Sequence, residues 1–265
     1  MKEFTNEDIK RVGLDILDVV HKFCLDHNLK YTLAYGTLLG AIRHKGYIPW
    51  DDDIDIAMPR EDYEIFLKTF DVENYGVMSC WNSPHYFLTW AKVYDKRTIK
   101  IEDAYNPEGM EIGFNIDIFP LDGIDDLEAF HKMKKKYKNV VKKHHYSMFP
   151  KFKGKSPVNL IKNIVIGYLN KRSNKYARII EGATTKHFKG KETNLLVQFD
   201  VYDINRDYIF HKDTFNKLAP VKFEDRTYLA TEYYDFTLKA SYGDYMTPPP
   251  VEKRPSLHLF KAYFK

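Results

Sequence analysis

The sequence has few cysteines and no long apolar run. Its 265 residues include two cysteines, Cys24 and Cys80. Two are too few for a disulfide framework or a cysteine-rich metal site, so we expect both thiols to be reduced and structural. No segment approaches the roughly 20 apolar residues that a membrane-spanning helix requires. The first residues are polar and do not resemble a signal peptide, so the sequence predicts a cytoplasmic protein.

A third deficit is an interval without acidic residues, from 129 to 180, which carries 15 of the chain's 41 lysines and arginines. Since the net charge of the whole chain is +4, the remainder is net acidic and the positive charge is local. Apolar residues are interleaved with these bases, namely Met133, Tyr137, Val140, Val141, Tyr146, Met148, Phe149 and Phe152. This combination is typical of surfaces that meet anionic lipid. We therefore predict that the basic region 131–178 binds peripherally to the inner face of the membrane.

Two other interpretations of the basic region compete with this prediction. A solvated lysine face is the commonest fate of a charge run. Nucleic acid would also attract the positive charge, but the sequence contains no recognised nucleic-acid-binding motif. We therefore expect no nucleic-acid partner.

Hydrophobic periodicity alternates between strand-like and helix-like segments, which predicts an α+β fold. A capping box formed by Thr5 and Asp8 starts the first helix, and Ser156 with Pro157 starts a later one. The predicted helices cover residues 6–27, 38–43, 60–69, 126–146 and 157–169. The predicted strands cover residues 31–35, 53–58, 77–80, 87–94, 99–101 and 114–119.

Four aspartates lie within five residues, at Asp51, Asp52, Asp53 and Asp55. Asp53 and Asp55 alternate with isoleucines, and in a strand this alternation places the two carboxylates on one face. Adjacent carboxylates repel each other unless a cation intervenes, and Mg²⁺ or Mn²⁺ prefers such oxygen ligands. The sequence therefore predicts a divalent metal site. A solvated acidic turn is the alternative, and the residue order of an EF-hand loop is absent.

Other residues near the aspartates have the chemistry of a phosphate site. The predicted turn at Gly36 and Thr37 offers backbone N–H groups to a phosphate, and Arg43 and His44 supply positive charge. We predict that Asp51 is a further metal ligand or the general base for an acceptor hydroxyl. Lys92 lies in an apolar strand and needs a partner, either a substrate phosphate or an active-site carboxylate, unless it extends to solvent. Tyr35 and Trp50 are candidates for stacking on a base or enclosing a quaternary ammonium, with core packing as the alternative.

These segments resemble the LicD family, whose members are similar to the fukutin-related phosphotransferases and have a nucleotidyltransferase-like fold. The resemblance is carried by GTLLGAIRH at 36–44, IPWDDDID at 48–55, MPR at 58–60, DY at 62–63, NIDIFPLDG at 115–123, YGDYM at 242–246, PP at 248–249 and EKR at 252–254. It implies that Asp117 is the third ligand of the metal held by Asp53 and Asp55. It also implies that Lys253 and Arg254 fold back onto the phosphates of a nucleotide.

The implied architecture is a mixed sheet flanked by helices, with an appended basic helical region. We predict a catalytic core at 1–125, a basic helical insertion at 126–190 and a C-terminal part at 191–265 that completes the catalytic domain. The implied reaction transfers phosphocholine, or a related alcohol phosphate, from CDP-choline or another CDP-alcohol. The acceptor is a sugar hydroxyl of a lipid-linked glycan or teichoic acid precursor, and CMP is released. The alternatives are nucleotidyl transfer to a small hydroxylated molecule, or a non-catalytic membrane-associated scaffold.

Overall fold

The computed structural model describes residues 1–102, 112–154, 156–188, 192–199, 207–254 and 260–265. The helices are α1 Asn6–Asp26, α2 Tyr35–Arg43, α3 Arg60–Thr69, α4 Leu127–Ser147, α5 Pro157–Asn170, α6 Ser173–Glu181, α7 Ala183–Phe188 and α8 Tyr234–Tyr242. The strands are β1 Lys2–Glu3, β2 Thr32–Leu33, β3 Asp55–Pro59, β4 Tyr75–Met78, β5 Ala91–Asp95, β6 Thr98–Glu102, β7 Asn115–Ile124, β8 Leu195–Gln198, β9 Tyr208–His211, β10 Leu218–Phe223, β11 Arg226–Thr231 and β12 Phe260–Phe264. The mixture confirms the predicted α+β class.

The central sheet is mixed, with strand order β2-β3-β7-β5-β4. Strand β7 pairs in parallel with β3 and antiparallel with β5, and its last three residues pair with β8. The core-facing residues of β7 alternate with Asp117, as the predicted strand required. Because β7 is central and long, it determines which residues of β3 and β5 lie side by side.

Helix α1 covers one face of this sheet because its sequence is amphipathic. The predicted capping box is confirmed, since Asp8 N–H donates to Thr5 Oγ1 at 3.1 Å and Thr5 N–H donates to Asp8 Oδ2 at 3.0 Å. The apolar residues of α1 enter the main core together with the inward residues of β3, β5 and β7. Cys24 lies in this core, and both Cys24 and Cys80 are buried free thiols.

A second core lies under the helices that follow β7. It combines Phe130 and Val141 of α4 with Ile180 of α6, and with Phe119 and Leu196 of the sheet. The helical segment and the sheet therefore share apolar contacts. Three of the apolar residues expected on the lipid-facing surface, Met133, Val141 and Met148, are instead buried, because α4 turns this face towards the second core.

The chain after residue 191 returns to the sheets. Strand β8 pairs with β7, and β12 pairs with both β6 and β1. The division of the chain into three segments stays a prediction, because the second core contains residues of both the helical segment and the sheet. Within the described ranges, none of the helices combines the length and the apolar character needed to cross a bilayer.

Most predicted elements differ from the observed ones in their bounds, among them the predicted strands at 31–35 and 77–80, which are observed at Thr32–Leu33 and Tyr75–Met78. Three further differences bear on the site. The predicted glycine turn at 36–37 is the first turn of α2, which begins at Tyr35. The predicted strand at 53–58 begins at Asp55, so Asp53 precedes it. The predicted strand at 87–94 is paired only from Ala91. The apolar residues of this segment, Phe87, Leu88 and Trp90, are buried in the second core, and burial gives the same sequence pattern as a strand.

Candidate active site

The register of β3 and β7 places the aspartates together. Asp55 is the direct partner of Asp117 across this parallel pair, and Asp117 N–H donates to the carbonyl of Ile54 at 2.9 Å. Asp51 and Asp53 lie close enough for each to shift the pKa of the other. The four acidic side chains that were predicted to be catalytic therefore form one group, which we call the aspartate cluster (Asp51, Asp53, Asp55 and Asp117).

Mutual repulsion within the aspartate cluster is strong. Burial, followed by the charge of the neighbouring Asp53, raises the pKa of Asp51 to about 8. Burial and the charges of Asp53, Asp117 and Asp51 raise the pKa of Asp55 well above its ordinary value. Desolvation by the surrounding protein and the charge of Asp117 also raise the pKa of Asp53, although this residue is exposed to solvent. The cluster thus combines excess negative charge with an opening to solvent.

The donor chemistry of the cluster suits a hard divalent cation, because carboxylate oxygens are its preferred ligands and a cation would relieve the repulsion. Among the described residues, however, no group of three or more His, Cys, Asp or Glu side chains is already placed so that it could hold a metal ion. The predicted metal site at Asp53, Asp55 and Asp117 therefore stays a prediction, and it requires the side chains of Asp53 and Asp55 to turn towards Asp117.

Lys92 pairs with an acid of the cluster. Its ammonium donates to Asp117 Oδ1 at 2.5 Å and to Asn115 Oδ1 at 3.0 Å, and Lys92 is the direct partner of Asp117 across β5 and β7. The lysine is buried. The sequence analysis offered a substrate phosphate or an active-site carboxylate as the partner of Lys92, and the structure shows the carboxylate of Asp117.

Trp90 is a contact of the cluster that the sequence did not predict. Its indole N–H donates to Asp117 Oδ2 at 2.9 Å. Together, Trp90 and Lys92 occupy both oxygens of Asp117 and fix the orientation of this carboxylate. The signal was present in the sequence, because residues two apart lie on the same side of an extended chain.

Helix α2 approaches the cluster through Gly36. A Cβ added at Gly36 would lie 2.5 Å from Asp51 Oδ2, so a residue without a side chain is needed there. Thr37 is buried, and its hydroxyl accepts a hydrogen bond from the N–H of Asp55 at 2.8 Å. Thr37 therefore fixes the start of β3 against α2, while its predicted phosphate contact stays untested.

We expect Gly36→Ala to lower kcat by on the order of 10- to 100-fold, because Asp51 must move away from the new methyl group and small misplacements of reacting groups are costly. The change should appear in kcat under metal-saturating conditions. The matched control is Gly167→Ala in α5, where an added Cβ meets nothing within 4 Å, assayed with a water-soluble acceptor. Equal turnover by the two variants would argue against a role for Asp51.

Four of the predicted substrate-binding residues also come together beside the cluster. The guanidinium of Arg254 lies over the ring of Trp50 at 4.1 Å, and the His44 ring meets Trp50 edge-on at 6.1 Å. Arg43 donates to the carbonyl of Tyr245 at 2.5 Å and to His44 Nδ1 at 3.3 Å. The C-terminal segment thus folds back onto the end of α2, and we call Arg43, His44, Trp50 and Arg254 the basic-aromatic cluster.

The electrostatics of the basic-aromatic cluster favour an anion. Burial lowers the pKa of Arg43, and the nearby charge of Arg254 lowers it further. Burial and Arg43 lower the pKa of His44 as well. Each shift shows a disfavoured positive charge, which a bound phosphate would stabilise. Since Trp50 and Asp51 are sequence neighbours, such a phosphate would lie next to the aspartate cluster.

Two predicted binding residues are not brought into these clusters. Tyr35 is buried, its ring packs against Phe119, Tyr208 and Phe210, and its hydroxyl donates to Gln198. The structure therefore shows the core-packing alternative for Tyr35, with no open ring face for a base. Lys253 ends a short 3₁₀ turn, Val251–Lys253, and its side chain lies outside the described part of the chain.

Two residues of the family-like segments form a buried ion pair at the other end of β3. Arg60 donates from Nε to Asp122 Oδ1 at 2.8 Å and from Nη2 to Asp122 Oδ2 at 2.7 Å. It also donates to Glu181. A cavity of about 720 Å³ opens beside this network, lined in part by Trp81 and Lys186. Since Arg60 follows the last residue of β3 whereas Asp55 is the first, this cavity is separate from the aspartate cluster.

Known proteins resemble this chain in sequence. A family model described as LicD/FKTN/FKRP, nucleotidyltransferase domain, matches residues 28–159, which include the aspartate cluster. The lipopolysaccharide cholinephosphotransferase LicD of Haemophilus influenzae is 32% identical over 285 aligned positions, covering 99% of each chain. An uncharacterised protein of Rickettsia typhi is 27% identical over 144 residues, which are 53% of this chain and 44% of that protein.

Proposed function

The chain belongs to the LicD family, and from that premise we propose that it transfers phosphocholine from CDP-choline to a sugar hydroxyl of a lipopolysaccharide-type glycan precursor. CMP is the second product. The family makes the protein a phosphotransferase. The observation that carries the finer proposal is the Asp55–Asp117 pairing beside the basic-aromatic cluster, within a chain that aligns with a cholinephosphotransferase over 99% of its length.

In this reaction the acidic residues would bind the metal and the basic residues would bind the phosphates. Asp53, Asp55 and Asp117 would hold a divalent cation, which when bound supplies the positive charge that neutralises phosphate oxygens. Arg43, His44 and Arg254 would bind the phosphates of the donor. Lys92 and Trp90 hold Asp117 in position.

Asp51 would take the proton from the acceptor hydroxyl. A general base works best when its pKa lies near the working pH, and the pKa of Asp51 is raised to about 8. The absence of a side chain at Gly36 leaves room for this carboxylate, because a Cβ there would lie 2.5 Å from Asp51 Oδ2. We therefore assign the base to Asp51 and the metal to the other three acids of the cluster.

Thermal stability against a panel of nucleotides tests the donor. We expect CDP-choline with Mg²⁺ to raise the unfolding midpoint more than CMP, CDP-ribitol or ATP does, and the rise to require the metal. At a ligand concentration of 100 Kd the gain is about 2.7 kcal/mol, which corresponds to roughly 5–10 °C for a chain of this size. A larger rise with CDP-ribitol would indicate that ribitol phosphate is the transferred group, while the reaction would still be the transfer of an alcohol phosphate.

The products distinguish this reaction from nucleotidyl transfer. We expect CMP to accumulate in proportion to the phosphocholine on the acceptor, with no pyrophosphate from CTP. Stabilisation by CTP with pyrophosphate release would instead establish nucleotidyl transfer to a small hydroxylated molecule. If no nucleotide raised the midpoint, the scaffold interpretation would replace the enzymatic one.

The acceptor requires a separate assay. The relative named above acts on lipopolysaccharide, whereas a teichoic acid precursor has the same kind of sugar hydroxyl. We expect transfer to a lipopolysaccharide core oligosaccharide to exceed transfer to a polyol phosphate oligomer. The opposite preference would assign a teichoic acid precursor as the acceptor, with the same reaction.

A further inference from the structure

Helix α5 turns its apolar side chains outward. Six of them are 52–73% exposed, namely Val158, Leu160, Ile161, Ile164, Val165 and Tyr168. Because these residues are spaced mostly three and four positions apart, they cover one broad face of the helix. We call this face the α5 surface. A globular protein normally buries such a face, and a contiguous exposed apolar patch marks an interaction site.

The orientation of α5 is fixed by asparagines on its opposite side. The side chain of Asn163 accepts from the N–H of Phe152 at 2.7 Å and donates to the carbonyl of the same residue at 3.1 Å. Asn159 donates to the carbonyl of Lys153 at 3.0 Å. Ile166 and Leu169 are the buried apolar residues of the helix. The inner side is therefore largely polar and bonded to the preceding loop, which leaves the apolar side to face outward.

Positive charge lies along the α5 surface. An open groove of about 810 Å³ runs along it, with Leu160, Ile164 and Tyr168 as apolar lining and Lys151, Lys171 and Arg172 as basic lining. The guanidinium of Arg172 lies over the ring of Tyr168 at 3.6 Å. From 129 to 180 the sequence contains no acidic residue. The surface thus joins an aliphatic face to a group of basic residues along the groove.

We propose that α5 lies in the plane of an anionic phospholipid bilayer, with the α5 surface inserted at the boundary between head groups and acyl chains. The lysines and Arg172 would contact lipid phosphates, and Tyr168 would lie at the interface, where aromatic rings with a polar end are favoured. This assigns lipid contact to α5. The apolar residues of α4, which the sequence suggested, are largely turned inward.

Two other occupants fit the α5 surface less well. A symmetric dimer through this face would place these basic residues against their own copies, and like charges across an interface are repulsive. A nucleic acid would satisfy the basic residues but would leave the aliphatic face in water, because its outer surface is phosphate. An anionic bilayer satisfies both the apolar and the basic parts.

Vesicle binding tests the proposal without turnover, so its outcome does not depend on the proposed reaction. The full chain is sedimented with vesicles of phosphatidylcholine alone, and with an equimolar mixture of phosphatidylcholine and phosphatidylglycerol. We expect binding to the mixed vesicles. The double variant Ile161→Asp, Ile164→Asp should reduce the partition coefficient by about tenfold or more, since it removes apolar insertion and adds negative charge.

The matched control is the double variant Leu25→Asp, Ile65→Asp, which makes the same charge change at exposed apolar residues of α1 and α3. This control should bind as the unmodified chain does. Equal loss in both double variants, or no binding of the unmodified chain to mixed vesicles, would overturn the proposal. So would a concentration-dependent dimer without vesicle binding that only the α5 variant abolishes.

Insertion depth gives an independent readout. Both native cysteines are buried, so Ile164→Cys introduces a selectively reactive thiol for an environment-sensitive fluorophore. We expect a blue shift of its emission on mixed vesicles and no shift for Leu25→Cys labelled in the same way. An unshifted signal at position 164 while the protein is vesicle-bound would place another surface against the lipid and overturn the assignment to α5.

Discussion

Asp55→Asn should reduce turnover by about a thousandfold or more while the protein keeps its fold. The proposed cation contributes several kcal/mol of charge stabilisation in the transition state, and about 1.4 kcal/mol corresponds to a factor of ten in rate. Asparagine keeps the shape of the side chain but loses the charge. The measurement is kcat at saturating CDP-choline and Mg²⁺, together with the Mg²⁺-dependent part of the thermal shift, which should also disappear.

The same variant should be at least as stable as the unmodified protein when no divalent metal is present. The pKa of Asp55 is raised in the folded state, so its ionised form destabilises the fold above the pKa of the unfolded chain, and this penalty disappears as the pH falls. Asparagine removes the penalty at neutral pH. We therefore expect the unfolding midpoint of the variant in EDTA to equal or exceed that of the unmodified protein. On acidification, the variant should gain less stability than the unmodified protein does.

Asp71→Asn is the matched control, since it makes the same chemical change at an exposed residue after α3. It should alter neither kcat nor the midpoint. If Asp55→Asn kept normal turnover, the assignment of the aspartate cluster to catalysis would be wrong. Loss of turnover with a lower midpoint in EDTA would instead show that Asp55 is a structural residue.

Local periodicity was sufficient to predict α1–α5, β2–β7 and part of the site, whereas the later helices and strands were not assigned. The alternation around Asp55 and Asp117 identified both strands, because a strand that is buried on one side repeats every two residues. The capping residues Thr5 and Ser156 identified two helix starts, since their side chains satisfy backbone N–H groups that no helical carbonyl reaches. Each of these signals is contained within a few consecutive residues.

Contacts between distant segments required information that no local pattern contains. The direct pairing of Asp55 with Asp117 depends on the register of β3 and β7, and the family resemblance suggested it where periodicity alone did not. The choice of Asp117 as the partner of Lys92 depends on the register of β5 and β7 in the same way. Trp90 was missed because an indole in an apolar run is ordinarily a core residue.

Periodicity also shows that a helix has an apolar face but not where that face points. Helix α4 was predicted with nearly correct bounds, yet Met133 and Val141 are buried and do not form an exposed lipid-facing surface. Helix α5 was predicted equally well, and its exposed face carries Ile161 and Ile164. The difference has two causes. The second core covers the apolar face of α4, whereas the loop bound to Asn163 holds α5 with its polar side inward and its apolar face outward.

Arg60→Ala should lower the free energy of unfolding by about 3–5 kcal/mol, because removing one partner of a buried ion pair leaves the other charges buried and unpaired. The side chains of Arg60, Asp122 and Glu181 are 10%, 6% and 2% exposed. Burial raises the pKa of Glu181 although Arg60 opposes this shift, so the desolvation of Glu181 outweighs its pairing even in the intact network. Denaturant unfolding should show the loss directly.

The pH dependence and a second substitution make this prediction specific. Without Arg60, protonation of Glu181 relieves its buried charge, so the stability deficit should shrink as the pH falls towards the ordinary range of glutamate. For the same reason, Glu181→Gln should raise stability more in the Arg60→Ala background than in the unmodified chain, where Arg60 offsets part of the penalty of burying Glu181. Such a difference is the mark of coupling between two residues in contact.

The matched control is Arg11→Ala, which also removes an arginine paired with two acids, Asp8 at 2.9 Å and Asp15 at 3.6 Å. Arg11 is 54% exposed, and exposed pairs contribute about 0–1 kcal/mol. If Arg60→Ala were no more destabilising than Arg11→Ala but abolished turnover, the ion-pair network of Arg60 would have a role in catalysis and not in stability. Because Arg60 lies at the far end of β3 from Asp55, we expect a loss of stability with kcat retained in the folded fraction.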